Sequence, residues 1–551
     1  MIRKVVIRRF KRFDEMVFDL PGHIVLAGPN NTGKTTMLQA VAAWSLSLSW
    51  WKRLNDFQRH DGAYTKAPIA RQAFSAVPLR AFDLLWKERR YQTNAPIEIE
   101  IQGVSGWKIT MELIADSTEQ IYVRPKSDVD PAVLRKATLQ AVFVPPMTGL
   151  STDEPGYRNR ATLDALLGQG KPGDVIRNLL VEAHYSSSVW EDLCNSIREL
   201  FGYELAPPDA SGAYILAEYT ASPGGPRFDI ASAGSGFQQV LMLLTMLYTH
   251  RGSVLLIDEP DAHLHIILQD AIYGELRSVA QKQGSQLIVA THSEVIINSV
   301  DVRNLCLLLD RPRPLLSEQE KNLLKKALGI LTNTDMMLAL EAPGILYVED
   351  YTDIDMLREW AKQISHPAYE TLTTKLFWKQ TRWQPREGAS GVKSRDHYEV
   401  LKLVRPDLPG LEILDRDGNP HRAETEITGS GLQVMRWKRY EIESYLVHPA
   451  AIERFIEQQA GPALISAENV KDAREYFQKQ MPGVIEDPFG EHLILEGVKA
   501  SERIIPAILN AAGIHGIEKR ELYQIAALMK PEEIHPEVVE KLDAIQRAFN
   551  L

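Results

Sequence analysis

The stretch "GPNNTGKT", from Gly28 to Thr35, constrains what this chain can fold into more than any other. It matches G-x-x-x-x-G-K-[ST], with the apolar run "HIVLA" before it and the helically spaced apolar residues of "TMLQAVAAWSLSL" after it. A strand, a glycine-rich turn and a helix N-terminus in that order make a phosphate cradle. Backbone N–H groups curl around the anion, the helix dipole adds positive potential, and the lysine neutralises terminal phosphate oxygens. Gly28, Asn30, Asn31, Gly33, Lys34, Thr35 and Thr36 are therefore the expected phosphate contacts.

Three later stretches fit the same chemistry. "VLLIDEP" ends an apolar strand in Asp258 and Glu259; Asp258 with Thr35 would hold Mg²⁺, and Glu259 would act as general base toward water. "ATHS" ends another apolar strand and places His292 for a γ-phosphate contact. "ASAGSGFQQ", from Ala231 to Gln239, opens an apolar helix, and its Ser232 also stands where a helix cap would. In "DAHLH", His263 and His265 are spaced i, i+2, which reads as a loop that meets a partner more readily than as a metal site. The order phosphate loop, Ser-x-Gly, DEP strand, strand-end His resembles the ABC-type ATPases. The resemblance implies ATP as ligand and a dimer in which Ser232 and Gly234 reach the γ-phosphate bound by the other subunit. The signature departs from LSGGQ, and "PMTGL" follows the strand "AVFVP", so no Q-loop glutamine is assigned.

A second constellation is acidic. Glu349 ends the strand-like "ILYV", with Asp353 shortly after; Asp415 and Asp417 follow "LEIL", on the same side of an extended segment because strand side chains alternate; Glu441 and Glu443 follow "LQVMRW". Carboxylates converging from strand ends suit Mg²⁺ or Mn²⁺, and two such ions suit phosphodiester cleavage. Glu443 is preferred to Glu441 because "EIESYL" reads as a strand end turning into a helix. Lys375, Lys379, Arg382, Arg386, Lys393, Arg395, Lys402 and Arg405, interleaved with Phe377, Trp378 and Trp383, could hold phosphates and stack bases, or form a solvated face beside core rings. The Glu, Asp-x-Asp and later acidic positions resemble the Toprim fold, although Asp350 stands where that family usually has Gly. An ABC-type ATPase followed by a Toprim domain is similar to the OLD family of ATP-dependent endonucleases, which includes antiphage effectors.

The expected architecture is α/β throughout: an ABC-type ATPase domain over 1–310 with a helical insertion at about 150–210, a helical linker over 311–341, a Toprim-like domain over 342–462 and a helical region over 463–551. A net charge of -10 argues against coating nucleic acid through bulk positive charge. Two cysteines without framework spacing fit a reducing compartment, and no apolar run is long enough for a membrane span, so a cytoplasmic protein is expected. The expected activity is ATP-regulated cleavage of DNA or RNA by a homodimer or higher oligomer, with Glu259, His292, Glu349, Asp415 and Asp417 as catalytic residues and Thr35, Asp258, Glu349, Asp415, Asp417 and Glu443 as metal ligands. The competing expectation is an ATPase scaffold that holds or releases a partner effector protein. A repair ATPase of the RecF type would explain the first site and leave the second carboxylate set without a role.

Overall fold

The structure is a computed structural model that describes residues 1–29, 31–90, 95–146, 149–156, 159–222, 224–309, 311–383, 391–417, 424–459 and 463–549. Asn30, Arg386 and the Met147–Thr148 pair where a Q-loop was sought lie outside the described residues. The chain divides into two compact units, Met1–Leu328 and Gly329–Leu551.

The first unit holds two six-stranded sheets. One is antiparallel, in the order Phe13–Asp19, Ile2–Phe10, Ile97–Gly103, Lys108–Ala115, Gln120–Pro125, Ala67–Ala70. The other runs Ala141–Val144, Val254–Asp258, Gln286–Thr291, Ile24–Ala27, Leu305–Leu308, Pro312–Pro314; all its pairs are parallel except the last. Central strands of a parallel sheet are buried on both faces, which is why "VLLID" and "QLIVA" are unbroken apolar runs and every residue of both strands is buried. Helix Lys34–Leu54 lies between the sheets: its Met37, Leu38, Val41, Trp44, Leu48 and Trp51 enter one core with residues of both. Trp44 is large enough to need its N–H satisfied, and it donates to Ile109 O at 3.0 Å.

Helices Arg160–Gly168, Ile176–His184 and Ser187–Phe201 lie within the stretch read as a helical insertion, followed by a three-stranded antiparallel sheet of Glu204–Leu205, Glu218–Thr220 and Arg227–Asp229. Across the expected linker two helices form, Glu318–Ile330 and Asn333–Glu341, and the division between units falls near the end of the first. Helix Asn333–Glu341 starts with a full capping box between Thr332 and Asp335.

The second unit has a five-stranded sheet ordered Phe377–Gln380, Ile345–Val348, Gly410–Leu414, Gln433–Arg436, Thr425–Ile427, with only the last pair antiparallel. Helix Tyr351–Gln363 and the helices from Pro449 onward cover it through a shared apolar core that includes Trp360, Trp437, Phe455 and Ile508.

Candidate functional site

In the first unit, sheet order brings the phosphate-loop residues and the catalytic candidates to one edge. Thr291 registers with Ala27 and Ala290 with Asp258, so three parallel strands end level. The loops leaving those ends carry Gly28–Thr35, Asp258–Glu259 and His292. Gly28 must be glycine, since a Cβ there would lie 2.2 Å from Leu308 O. Gly33 caps the helix at φ 105, and a side chain would strike the Phe13 ring. Asn31 is also left-handed, at φ 63. Lys34 folds over the loop and donates from Nζ to Gly28 O at 2.6 Å and Pro29 O at 2.7 Å. Burial lowers its pKa to about 8, against the upward pull of Glu259, Asp258 and Asp261. Thr36 follows half-buried in the first turn.

Thr35 Oγ1 donates to Asp258 Oδ2 at 2.8 Å, which joins the hydroxyl and carboxylate expected to share a cation. Burial pushes Asp258 up to about 6 even with that hydrogen bond, as it would for an acceptor lacking its countercharge. Glu259 adopts φ 48, and its Oε1 lies 3.3 Å from His292 Nδ1. The contact lowers the Glu259 carboxyl and raises the His292 imidazole. Behind them Thr291 Oγ1 donates to Asp261 at 2.5 Å and accepts from Ser293 N at 2.9 Å, fixing the turn that carries His292. His263 and His265 are exposed on the loop after Glu259.

Ser232 does not cap the helix Ser235–Thr249; Gly234 occupies that position. Ser232 ends a short 3₁₀ turn, Ile230–Ser232, where its Oγ donates to Asp229 O at 2.6 Å. Ser232 and Gly234 are both exposed, and a Cβ at Gly234 would meet open space.

The second unit gathers the acidic residues. Ligand oxygens of Asp415, Glu441 and Glu443 lie within 4.8 Å of one another. Glu349 joins from the neighbouring strand, its Oε1 accepting from Asp415 N at 3.2 Å, while Asp415 Oδ1 accepts from Ile442 N at 3.0 Å. Asp353, on the first turn of helix Tyr351–Gln363, turns inward to accept from Glu349 N and Asp350 N at 3.1 and 3.2 Å. Asp350 serves as that helix's cap, which accounts for an acid where glycine was expected. The preference for Glu443 over Glu441 dissolves, because the 3₁₀ turn Ile442–Leu446 buries both beside Asp415. Asp417 stands outside this trio. The extended segment stops at Leu414, and Asp417 takes a left-handed conformation at φ 53 with its N–H on Tyr440 O, so strand alternation does not place it beside Asp415.

So many carboxylates at one point repel. Burial and then Glu349, Asp353, Glu443 and Glu441 hold Asp415 well above the usual carboxylate range. Burial and Glu443 push Asp353 up to about 7. Lys519, which sequence reasoning missed, sets its Nζ 3.0 Å from Glu443 Oε1. It comes from a short turn in the helical region, and no spacing rule connects it with Glu443.

Part of the basic stretch is paired within the fold. Lys379 pairs with the buried Asp335 at 2.8 Å, Arg395 and Arg436 pair with Glu426, Arg405 donates to Ala339 O and Ala342 O, and Lys375 pairs with Glu370. Phe377 is buried, Trp378 is half-buried and packs on the core, and the Trp383 side chain lies outside what the structure describes. Among the described residues, no helix is long and apolar enough to cross a membrane.

The family model described as "AAA domain, putative AbiEii toxin, Type IV TA system" matches residues 72–298, a span that holds Asp258, Glu259 and His292 and begins after the phosphate loop. No curated protein matches. Solved structures similar to the chain include the Smc head domain with an extended coiled coil bound to the C-terminal domain of ScpA from Pyrococcus furiosus (12% identity, TM-score 0.35, 59% of this chain and 98% of that one). The SMC head domain from Thermotoga maritima is similar at 15% identity and TM-score 0.32, over 57% of this chain and 99% of that one. The recombination mediator protein RecF in complex with ATPrS is similar at 12% identity and TM-score 0.32, over 56% and 96%. The matched AAA domain, the level strand ends and the joined Thr35–Asp258 pair support an ATPase-type nucleotide site in the α/β fold of the first unit.

Proposed function

We propose that this chain is an ATPase whose nucleotide-driven dimer regulates metal-dependent cleavage of nucleic acid by its second unit. The observation that carries the nuclease half is the meeting of Asp415, Glu441 and Glu443 within 4.8 Å, with Glu349 bonded to the Asp415 backbone. The donors fit the ion: buried oxygens with raised pKa values gain most from a hard divalent cation. Asp415, Glu441, Glu443 and Glu349 would hold Mg²⁺ or Mn²⁺, with Asp417 on the adjoining turn available to a second ion. Bound there, the metal supplies an activated water and charge stabilisation for a leaving oxygen. Glu349 and Ile442 N orient Asp415, and Lys519 supplies a cation beside Glu443 that suits an anionic phosphodiester. The parallel sheet with acidic strand ends supports the Toprim resemblance, and with the ATPase it supports the OLD-family reading.

At the nucleotide site, Lys34 and the loop N–H groups would bind the phosphates, Thr35 and Asp258 would hold Mg²⁺, Glu259 would accept a proton from water, and His292 would sense the γ-phosphate. The test incubates purified protein with plasmid DNA, single-stranded DNA and tRNA in Mg²⁺ or Mn²⁺, with and without ATP. Cleavage that Asp415→Ala abolishes while ATP hydrolysis persists is the expected result, and Lys34→Ala should remove its dependence on ATP. Intact hydrolysis with no cleavage of any substrate would overturn the nuclease and leave the scaffold holding a partner effector.

A further inference from the structure

Among the described residues of the first unit, one arginine is completely buried. Arg177, in helix Ile176–His184, has 0% exposure and forks onto the Asp229 carboxylate, Nη1 to Oδ2 at 2.9 Å and Nη2 to Oδ1 at 2.8 Å. Its remaining donors reach Ser151 O at 3.1 Å and Ile215 O at 3.3 Å. The helix start around it is held by Glu154, also buried, which accepts from Arg177 N at 2.9 Å and Asn178 N at 2.8 Å. An arginine taken wholly out of water is retained only where its partners are specific and geometrically complete.

Those partners lead to the signature segment. Asp229 Oδ1 also accepts from Ala231 N at 2.8 Å, capping the 3₁₀ turn, and Asp229 O accepts from Ser232 Oγ at 2.6 Å. From the opposite side Gln238 Nε2 donates to Ala231 O and Ala233 O, both at 2.9 Å. Every backbone turn from Asp229 to Gly234 is thus fixed from within, while Ser232 and Gly234 stay exposed. Such rigidity is unnecessary for a surface turn. It is what a phosphate receptor needs if binding is not to lose affinity in ordering it.

We propose that Arg177 is a positioning residue: through Asp229 it fixes the segment Ile230–Gly234 as a receptor for the γ-phosphate of a nucleotide held by a second copy of this chain, and it ties that receptor to the helical insertion. The inference rests on the dimer reading above and adds the device that sets the dimer's affinity. It makes Ser151, Glu154 and Ile215 a route by which an event on the insertion reaches the ATP-closed state.

The test uses the full chain with Glu259→Gln to trap bound ATP, and measures two quantities: binding of a fluorescent ATP analogue at low protein concentration, and ATP-dependent dimerisation by sedimentation. Asp229→Asn keeps an oxygen for Ala231 N and breaks the charge pair; Arg177→Met with Asp229→Asn removes both charges of the pair together. Both should weaken dimerisation by about tenfold or more while nucleotide binding by the monomer stays within about twofold, the split expected of an interaction made only across the closed dimer. Unchanged dimerisation in both variants overturns the inference. So does a parallel fall of nucleotide binding, dimerisation and melting temperature in both, which a purely structural pair would give. If the Glu259→Gln parent binds ATP and stays monomeric, the dimer reading itself fails and takes the inference with it.

Discussion

Asp415 is a side chain on which four other acids act, Glu349, Asp353, Glu443 and Glu441, and Lys519 pairs with one of the four, Glu443. In the absence of a cation that arrangement is a cost to the fold. Asp415→Asn keeps the oxygen that accepts from Ile442 N and removes one buried charge, so it should raise the melting temperature of metal-free protein by about 2–4 °C, the shift that about 1 kcal/mol yields in a domain of this size. The same substitution should abolish the stabilisation that Mn²⁺ gives the wild type, so calorimetry with and without metal reads opposite signs from one variant. A lower melting temperature without metal would show that Asp415 is structural. At this scale the phosphate loop was legible because its chemistry lies in eight contiguous residues, where Gly28 and Gly33 answer to local backbone geometry. Lys519 and Arg177 were not legible, since each is defined by a partner tens of residues away. The pairing of Lys379 with Asp335 and of Arg395 with Glu426 was hidden for the same reason, since those partners are remote in sequence.

Strands and helices were easier to read than the turns that end them. The runs around Ile24, Val254, Gln286 and Leu305 became one parallel sheet because fully buried strands must be continuously apolar, and "IEIEI" with "WKITMELI" became the expected antiparallel partners. What periodicity could not show was where a strand stops, hence the expectation that Asp417 would share a side with Asp415. Helix Glu318–Ile330 adds a feature of the same kind. Its Lys321 is 5% exposed and donates to Asn298 O at 2.9 Å and Val300 O at 2.7 Å, at the C-terminal end of helix Glu294–Ser299, which starts directly after His292 and Ser293. A cation on those carbonyls satisfies groups the short helix leaves open and opposes its dipole. Lys321→Met retains the packed stem and strands both carbonyls, at a cost of about 1–3 kcal/mol. Hydrogen exchange should then quicken by about tenfold in both 294–299 and 318–330, while strand Val254–Asp258 stays protected. ATP should protect 318–330 in the wild type and fail to do so in the variant; equal protection in both would show that Lys321 does not carry this helix's response to ATP.

Across the whole molecule, both sites keep carboxylates whose pKa values are raised in the folded state: Asp258 to about 6, by burial, and Asp353 to about 7, by burial and then Glu443. An aspartate in the unfolded chain titrates near ~3.9, so between that value and the folded one the native state binds the extra proton. The resulting stability is fully present below about pH 4 and is lost as pH rises through about 6 to 7. Buried histidines act in the opposite sense: His250 and His535, held down to about 4 chiefly by burial, lose stability for the fold as pH falls below their ordinary value. That opposing contribution is confined to pH below about 6.5, so from about pH 6.5 to 8 the carboxylates act unopposed by it, and His292, raised by Glu259, adds to them in the same sense. Metal-free protein should therefore melt about 2–4 °C lower at pH 8 than at pH 6.5, the scale of a 1 kcal/mol loss. Asp353→Asn, which still offers an oxygen to Glu349 N and Asp350 N, should flatten the profile. Divalent metal binds the ionised form and competes with the proton, so Mg²⁺ or Mn²⁺ should raise the melting temperature more at pH 8 than at pH 6.5. A metal effect equal at both values would mean that the ion does not bind where the carboxylates converge, whereas a flat metal-free profile in the wild type would remove the charge repulsion on which both sites' affinity for cations is argued.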